Sequence, residues 1–222
     1  MSSKQPNGAP ILALPASEVS SLMENFCAPN ASNHIMQCTV HTLTRKLVAA
    51  AQDHDSSLTS ATLIPILRSG LPMYVGAQSA LPSSTCVLVG CSKSKDTQNV
   101  AVEWLGRRPF PRQDDEGIGP LILLDTVITT GDTIKRICDR LLGMSGCILR
   151  SVVILSCYAA PAALQRLAMH PLVKYIVVAR EAEKCDDNGY LVPYTNGDIG
   201  DKIYGAKAKG AVGSFSNQAV YG

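Results

Sequence analysis

Hydrophobic and polar positions along this chain follow two rhythms, one after the other. Helical spacing comes first. Val19, Leu22, Met23 and Phe26 share one face of a short helix that starts after Ser17, and Pro29 closes it. A second helix, capped by Asn33 and running to about Asp53, carries Ile35, Met36, Val40, Leu43, Leu47 and Val48 on its apolar side. Ahead of both, residues 1–15 are rich in Pro, Ser and Gly, which predicts an irregular and mobile start.

The rhythm then changes to short runs with almost no internal polarity: Leu63–Leu67, Cys86–Val89, Leu121–Leu124, Ser151–Leu155 and Tyr175–Val178. Runs of this length suit strands buried on both faces. Helical stretches at Leu71–Ala80, Thr133–Met144 and Pro161–Ala168 lie between most of them. Strand, helix, strand at this spacing predicts an α/β fold: a mainly parallel twisted sheet with helices on both sides and right-handed crossovers.

One connection breaks the pattern. Residues 91–119 are polar, hold Lys93, Lys95, Arg107, Arg108 and Arg112, and look strand-like only over Val100–Leu105. A polar excursion of this length inside a compact domain reads as a functional lid or as a partly disordered segment. Residues 181–205 are again irregular, and 206–222 form a small polar tail. The expectation is one domain over 16–205 with a mobile N-terminus and a C-terminal tail.

Composition narrows the function. An apolar share of 46% with aromatics at 5% implies a sizeable aliphatic core. A net charge of +2 argues against a polyanion-coating protein and makes a nucleic-acid partner unexpected, while leaving room for a small anionic ligand. The eight cysteines include no CxxC pair and no Cys/His cluster at zinc spacing. Cys86, Cys138, Cys147 and Cys157 lie in or beside apolar runs, so free thiols in a reducing compartment are expected. With no secretory signal and no apolar stretch near bilayer length, the cytoplasm is the expected location, with no membrane partner. The four histidines fall outside every motif, and Trp104 in the lid reads first as a packing residue.

The strongest chemical signal is LILLDTVITTGDTI, residues 121–134. A buried strand ends in one acid, Asp125. A hydroxyl-rich loop follows with Thr126, Thr129 and Thr130, then Gly131, and a helix opens at Asp132 and Thr133. Ligands of open α/β sheets bind at the carboxyl ends of strands. A helix N-terminus presents free N–H groups and partial positive charge, and threonines with a close-approaching glycine complete a phosphate cradle. Asp125 beside the cradle would accept hydrogen bonds from sugar hydroxyls. The pattern therefore asks for a ribose 5-phosphate. The Walker loop GxxxxGK[ST] and the dinucleotide GxGxxG are both absent.

DTVITTGDT resembles the phosphoribosyl pyrophosphate motif of the type I phosphoribosyltransferases, and its single acid followed by a non-acid is similar to the uracil-specific branch. LIPILRSGLPM, residues 63–73, resembles that branch's strand and Arg-Ala-Gly turn. GYLVPYTNGDIGDKIYGAK, residues 189–207, resembles its base-binding signature, with Gly197-Asp198-Ile199-Gly200-Asp201 in the Gly-Asp-x-Gly-Asp position. The three segments stand in the family's order, and the resemblance covers roughly residues 60–207.

The resemblance implies the following roles. Arg68 contacts pyrophosphate as a fork of donors, and Asp125 through Thr133 hold the ribose 5-phosphate, with Gly131 and Asp132 among them. Leu191, Gly197, Asp198 and Ile199 line the base site, Asp198 also lying near the donor. Arg68, Asp125 and Asp198 are the implied catalytic set, and Lys93 stands near the family's lid arginine as a point charge. Mg²⁺ would arrive on the donor and not on protein ligands. The implied reaction is phosphoribosyl transfer to uracil in pyrimidine salvage, by a homodimer or higher homo-oligomer. Two departures keep alternatives open. Asp132 replaces the branch's usual glycine, and the loop Tyr194-Thr195-Asn196 is one residue longer. A different heterocyclic base, or a non-catalytic nucleotide- or RNA-binding regulator of the same fold, are the other readings.

Overall fold

The computed structural model describes residues 8–93, 100–105, 120–143, 151–186, 190–193 and 198–205. Strand β1 spans Ile11–Ala13, helix α1 Ala16–Cys27 and helix α2 Asn33–His54. The α2 cap is Ser32, one residue earlier than expected: its hydroxyl accepts from Ile35 N, satisfying an end-of-helix donor. Met36, Val40, Leu43, Leu47 and Ala51 form its buried stripe, whereas Ile35, assigned to that stripe from sequence, is 45% exposed.

Strand β2 (Thr62–Leu67) leads into helix α3 (Gly70–Ala80), then short β3 (Thr85–Cys86), β4 (Leu88–Lys93) and β5 (Val100–Leu105). Strand β6 (Leu121–Leu124), short β7 (Val127–Ile128) and helix α4 (Asp132–Leu142) follow. The second half holds β8 (Val152–Ala159), α5 (Pro161–Ala168), β9 (Val173–Glu181), the pair β10 (Lys184–Cys185) and β11 (Leu191–Val192), and α6 (Ile199–Tyr204). All eight residues of β8 and all four of β6 are buried, as strands covered on both faces must be.

The main sheet has the order β1-β9-β8-β6-β2-β4-β5. Its pairs are parallel except β4 with β5, which run antiparallel from Leu88↔Leu105 to Lys93↔Val100. After β2 the chain crosses through α3 to β4, toward one edge; after β6 it crosses through α4 to β8, toward the other. Right-handed crossovers in opposite directions put α3 on one face and α4 and α5 on the opposite one. Helix α2 packs on α3, β8 and β9, and α1 packs on α2, filling the α3 face. The reversal makes the gap between β2 and β6 the topological switch point, where ligands bind in folds of this kind.

Further expectations need correction. Residues 181–205, expected to be irregular, hold the antiparallel pair β10–β11 and helix α6 among the described residues. Ile11–Ala13, within the supposedly irregular start, forms the edge strand β1, paired with Ile176–Val178 of β9. Cys86 is exposed at the end of β3, a two-residue strand separate from β4; Cys138 and Cys157 are buried, and Cys147 lies outside the described residues. The seven described cysteines are free thiols. Trp104 is packed against the core, and its indole N–H has no partner among the described residues. The lid expected over 91–119 is described only through β4 and β5, and the tail 206–222 lies outside the description.

Candidate active site

Parallel register brings the two loops of the switch point together. Pro65 of β2 pairs with Leu124 of β6, so Arg68 and Ser69 leave their strand beside Asp125 and Thr126. Two hydrogen bonds join the loops: Thr126 Oγ1 donates to the Ser69 carbonyl at 2.6 Å, and Ser69 Oγ donates to Asp125 Oδ1 at 3.5 Å. Thr126 is fully buried, so it braces the loops and does not line the opening. Gly70 belongs to this close approach: a Cβ there would stand 2.5 Å from the Leu124 carbonyl.

Asp125 sits at the floor of the cleft. Burial pushes its carboxyl up to about 7, against partial relief from the backbone N–H of Val127, the Ser69 hydroxyl and the Thr126 N–H. The same enclosure raises the Cys91 thiol to about 12, with the Asp125 charge adding to the effect. A carboxyl this poorly hydrated gains more than an exposed one would from any further hydroxyl that donates to it.

Gly131 precedes α4 with φ of 74°, a left-handed conformation that glycine adopts without strain. A Cβ there would meet Leu167 Cδ1 of α5 at 3.1 Å, so α5 packs directly against the loop. Thr129 and Thr133 line the cleft, but Thr130 faces elsewhere: its hydroxyl donates to Asp132 Oδ2 at 2.6 Å. Asp132 Oδ1 receives Arg166 Nη2 of α5 at 2.6 Å, and the same nitrogen also donates to the Thr130 carbonyl. The Asp132 carboxylate is thereby turned toward α5, which is the condition a phosphate-binding loop sets on a residue of that charge.

The C-terminal segment closes the third side. Asp198 caps α6, its Oδ1 accepting from Gly200 N at 2.7 Å and Asp201 N at 3.2 Å. Arg68 Nη2 pairs with Asp201 Oδ1, linking the β2 loop to α6. Gly200 lies so close that a Cβ would meet Asp198 Oδ1 at 2.9 Å and Arg68 Nη2 at 3.3 Å. Helix α6 is moored to the helical face by Asn33 Nδ2 on the Lys202 carbonyl, Gln37 Nε2 on the Ile203 carbonyl, and Lys202 Nζ on the Ala28 carbonyl. Tyr158 Oη donates to the Val192 carbonyl at 2.6 Å, fixing β11 and with it Leu191.

These parts enclose one cleft of about 540 Å³. Of the residues expected from sequence, Arg68, Asp125, Thr129, Thr133, Leu191, Asp198 and Ile199 line it. Thr126, Thr130, Gly131 and Asp132 shape the loop from behind. Lys93 ends β4, where only its backbone is described, and Gly197 lies outside the described residues. Ser69, Cys91 and Tyr190 line the cleft without having been singled out, and Arg166 was missed altogether. No local motif surrounds Arg166; only the packing of α5 against Gly131 brings it to the loop.

A phosphate-type loop and a strand-end acid at the switch point, faced by a C-terminal cap across the same cleft, define the type I phosphoribosyltransferase class. The comparisons with known proteins agree. The family model described as uracil phosphoribosyltransferase matches residues 17–206, reaching well upstream of the segments that carried the resemblance in sequence. The uracil phosphoribosyltransferase of Synechocystis sp. is 35% identical over 153 residues, 66% of this chain and 65% of the relative. That of Alkaliphilus metalliredigens is 35% identical over 149 residues, 65% of each chain. The chain thus spans just under two thirds of the length of these relatives. The AQ2163 protein from Aquifex aeolicus shares the fold, with a TM-score of 0.72 at 22% identity, covering 88% of this chain and 98% of that one. This chain belongs to the uracil phosphoribosyltransferase family.

Proposed function

We propose that the chain transfers the phosphoribosyl group from phosphoribosyl pyrophosphate to N1 of uracil, giving uridine monophosphate and pyrophosphate. One observation carries the reading: the donor loops after β2 and β6 and the acceptor segment of Leu191, Asp198 and Ile199 face each other across a single cleft. In the reaction the bond from ribose C1 to pyrophosphate oxygen breaks, a bond from C1 to N1 forms, and the N1 proton leaves. The α4 N-terminus with Thr129 and Thr133 would hold the 5-phosphate, and Asp125 would accept the ribose hydroxyls. Arg68 would meet the pyrophosphate while Asp201 holds its guanidinium from the other side. Alignment of donor and acceptor, with charge stabilisation at the leaving group, is then the chain's main contribution.

Among the described residues no group of three or more metal-ligating side chains forms. Asp125 and Asp198 are the hard oxygen donors in the cleft, a set that suits Mg²⁺ held mainly by substrate phosphates. Mg²⁺ on the donor would neutralise the leaving pyrophosphate. The free thiols support the cytoplasm as the compartment, and no described helix is long and apolar enough to cross a membrane.

The test is chromatographic detection of uridine monophosphate from purified protein with Mg²⁺, phosphoribosyl pyrophosphate and uracil. Product that requires all three supports the reading, and a panel of other bases measures acceptor choice. Unchanged turnover in a variant with Asp125→Ala and Thr133→Ala together would overturn it.

A further inference from the structure

The phosphate loop carries its own negative charge. Asp132 is the first residue of α4, where a carboxylate favours the helix dipole but competes with any anion for the same N–H groups. A dianionic 5-phosphate can be accepted there only if that charge is cancelled. The structure supplies a cation for the purpose from another element, 34 residues away in sequence.

We propose that Arg166 is a positioning residue for the donor's 5-phosphate, acting by neutralising Asp132 and fixing the Thr130–Gly131 peptide. The inference rests on the phosphoribosyl reading of the cleft and extends it to a residue outside every motif. Three observations support it. Arg166 Nη2 reaches Asp132 Oδ1 at 2.6 Å, and Thr130 Oγ1 holds the other carboxylate oxygen at 2.6 Å, so the acid is engaged on both sides. The same guanidinium nitrogen donates to the Thr130 carbonyl. In a planar trans peptide the N–H points opposite to the carbonyl, so this bond aims the Gly131 N–H away from α5. Finally, the neighbouring Leu167 is buried against Gly131, which sets the distance between α5 and the loop before any charge is considered.

An ordinary surface ion pair of this exposure, 45% and 39%, contributes little to stability. The expected consequence is therefore in ligand affinity and not in folding. The test compares wild type with Arg166→Ala, Arg166→Lys, Asp132→Asn and the double variant Asp132→Asn/Arg166→Ala. Calorimetry with ribose 5-phosphate as probe reports the loop directly, and steady-state kinetics report KM for each substrate. Arg166→Ala is expected to weaken ribose 5-phosphate by about tenfold or more, the scale of a lost charge-assisted contact. The donor KM should rise in parallel while kcat and the uracil KM stay within about twofold, as loss of uniform binding predicts. Asp132→Asn should bind the probe at least as tightly as wild type, the double variant should recover most of the loss, and Arg166→Lys should fall between.

Unchanged probe affinity in Arg166→Ala overturns the proposal. So does a double variant as weak as Arg166→Ala, which would make Arg166 a brace unrelated to the Asp132 charge. Thermal denaturation of each variant separates unfolding from lost binding, and Asp132→Asn, which keeps the shape of the side chain, gives a second readout. Wild-type protein that binds ribose 5-phosphate but makes no uridine monophosphate refutes the acceptor and leaves this test intact. Failure of the wild type to bind ribose 5-phosphate overturns both readings.

Discussion

Replacing Asp125 with asparagine is expected to make the protein more stable, and by an amount that grows with pH. In the folded chain burial raises the Asp125 carboxyl from an ordinary 3.8 to about 7. A raised carboxyl means the folded state holds a proton that the unfolded state releases between those two values. Stability therefore falls as pH rises from about 4 to about 7 and levels off above, the opposite of the usual salt-bridged carboxylate. At about 1.36 kcal/mol per pH unit, a rise from 3.8 to about 7 amounts to about 4 kcal/mol for the ionised group. Asparagine has the same shape, and its carbonyl oxygen can accept from two of the three donors that face Asp125, the Val127 and Thr126 N–H groups and the Ser69 hydroxyl, but it carries no charge to desolvate. The assay is urea denaturation of wild type and Asp125→Asn, without ligand, at pH 4 and pH 8. The variant's advantage should be under about 1 kcal/mol at pH 4 and close to 4 kcal/mol at pH 8. Taking the difference between the two proteins cancels other titrations, among them Asp55 and Asp139, whose carboxyls are lowered mainly by hydrogen bonds from Lys174 and Lys135 and lose stability as pH falls. A difference that is flat with pH would refute the reasoning, because the burial of Asp125 would then carry no electrostatic penalty. Activity should fall in the same variant, because the proposed acceptor of the ribose hydroxyls loses its charge.

Other changes probe the remaining walls of the cleft. Gly131→Ala must place a side chain at φ of 74° and against Leu167, so thermal denaturation should show a loss of about 1–2 kcal/mol together with weaker ribose 5-phosphate binding. Gly200→Ala places a Cβ 2.9 Å from Asp198 Oδ1 and 3.3 Å from Arg68 Nη2, so both side chains must shift and the KM values for both substrates should rise while the melting temperature changes little. Tyr158→Phe removes the hydrogen bond to the Val192 carbonyl, which should lower stability by about 1 kcal/mol and raise the uracil KM more than the donor KM, because only Leu191 loses its support.

Much of this protein can be read from residue order alone, where local physics is sufficient. Leu121–Leu124 and Pro161–Ala168 have the bounds that their apolar run and their proline start predict, because burial on both faces and a fixed φ leave few other choices. The phosphate loop is equally local: strand, acid, hydroxyls, glycine and helix start are consecutive, so their geometry follows from one turn. Sequence could not place Ile11–Ala13, since an edge strand of three residues gains its stability from pairing with β9, each residue with a partner 165 positions along. Nor could it tell that Thr126 braces and Thr129 lines the cleft, which depends on where Ser69 of another strand arrives. Arg166 and the Arg68–Asp201 pair belong wholly to the tertiary structure. Their partners are distant in the chain and become neighbours only when helices and strands pack, so no spacing or periodicity signals them. The chain thus determines its buried central strands, its longer helices and the turn after Leu124 by itself, and packing decides its edge strand and which charges that turn must live beside.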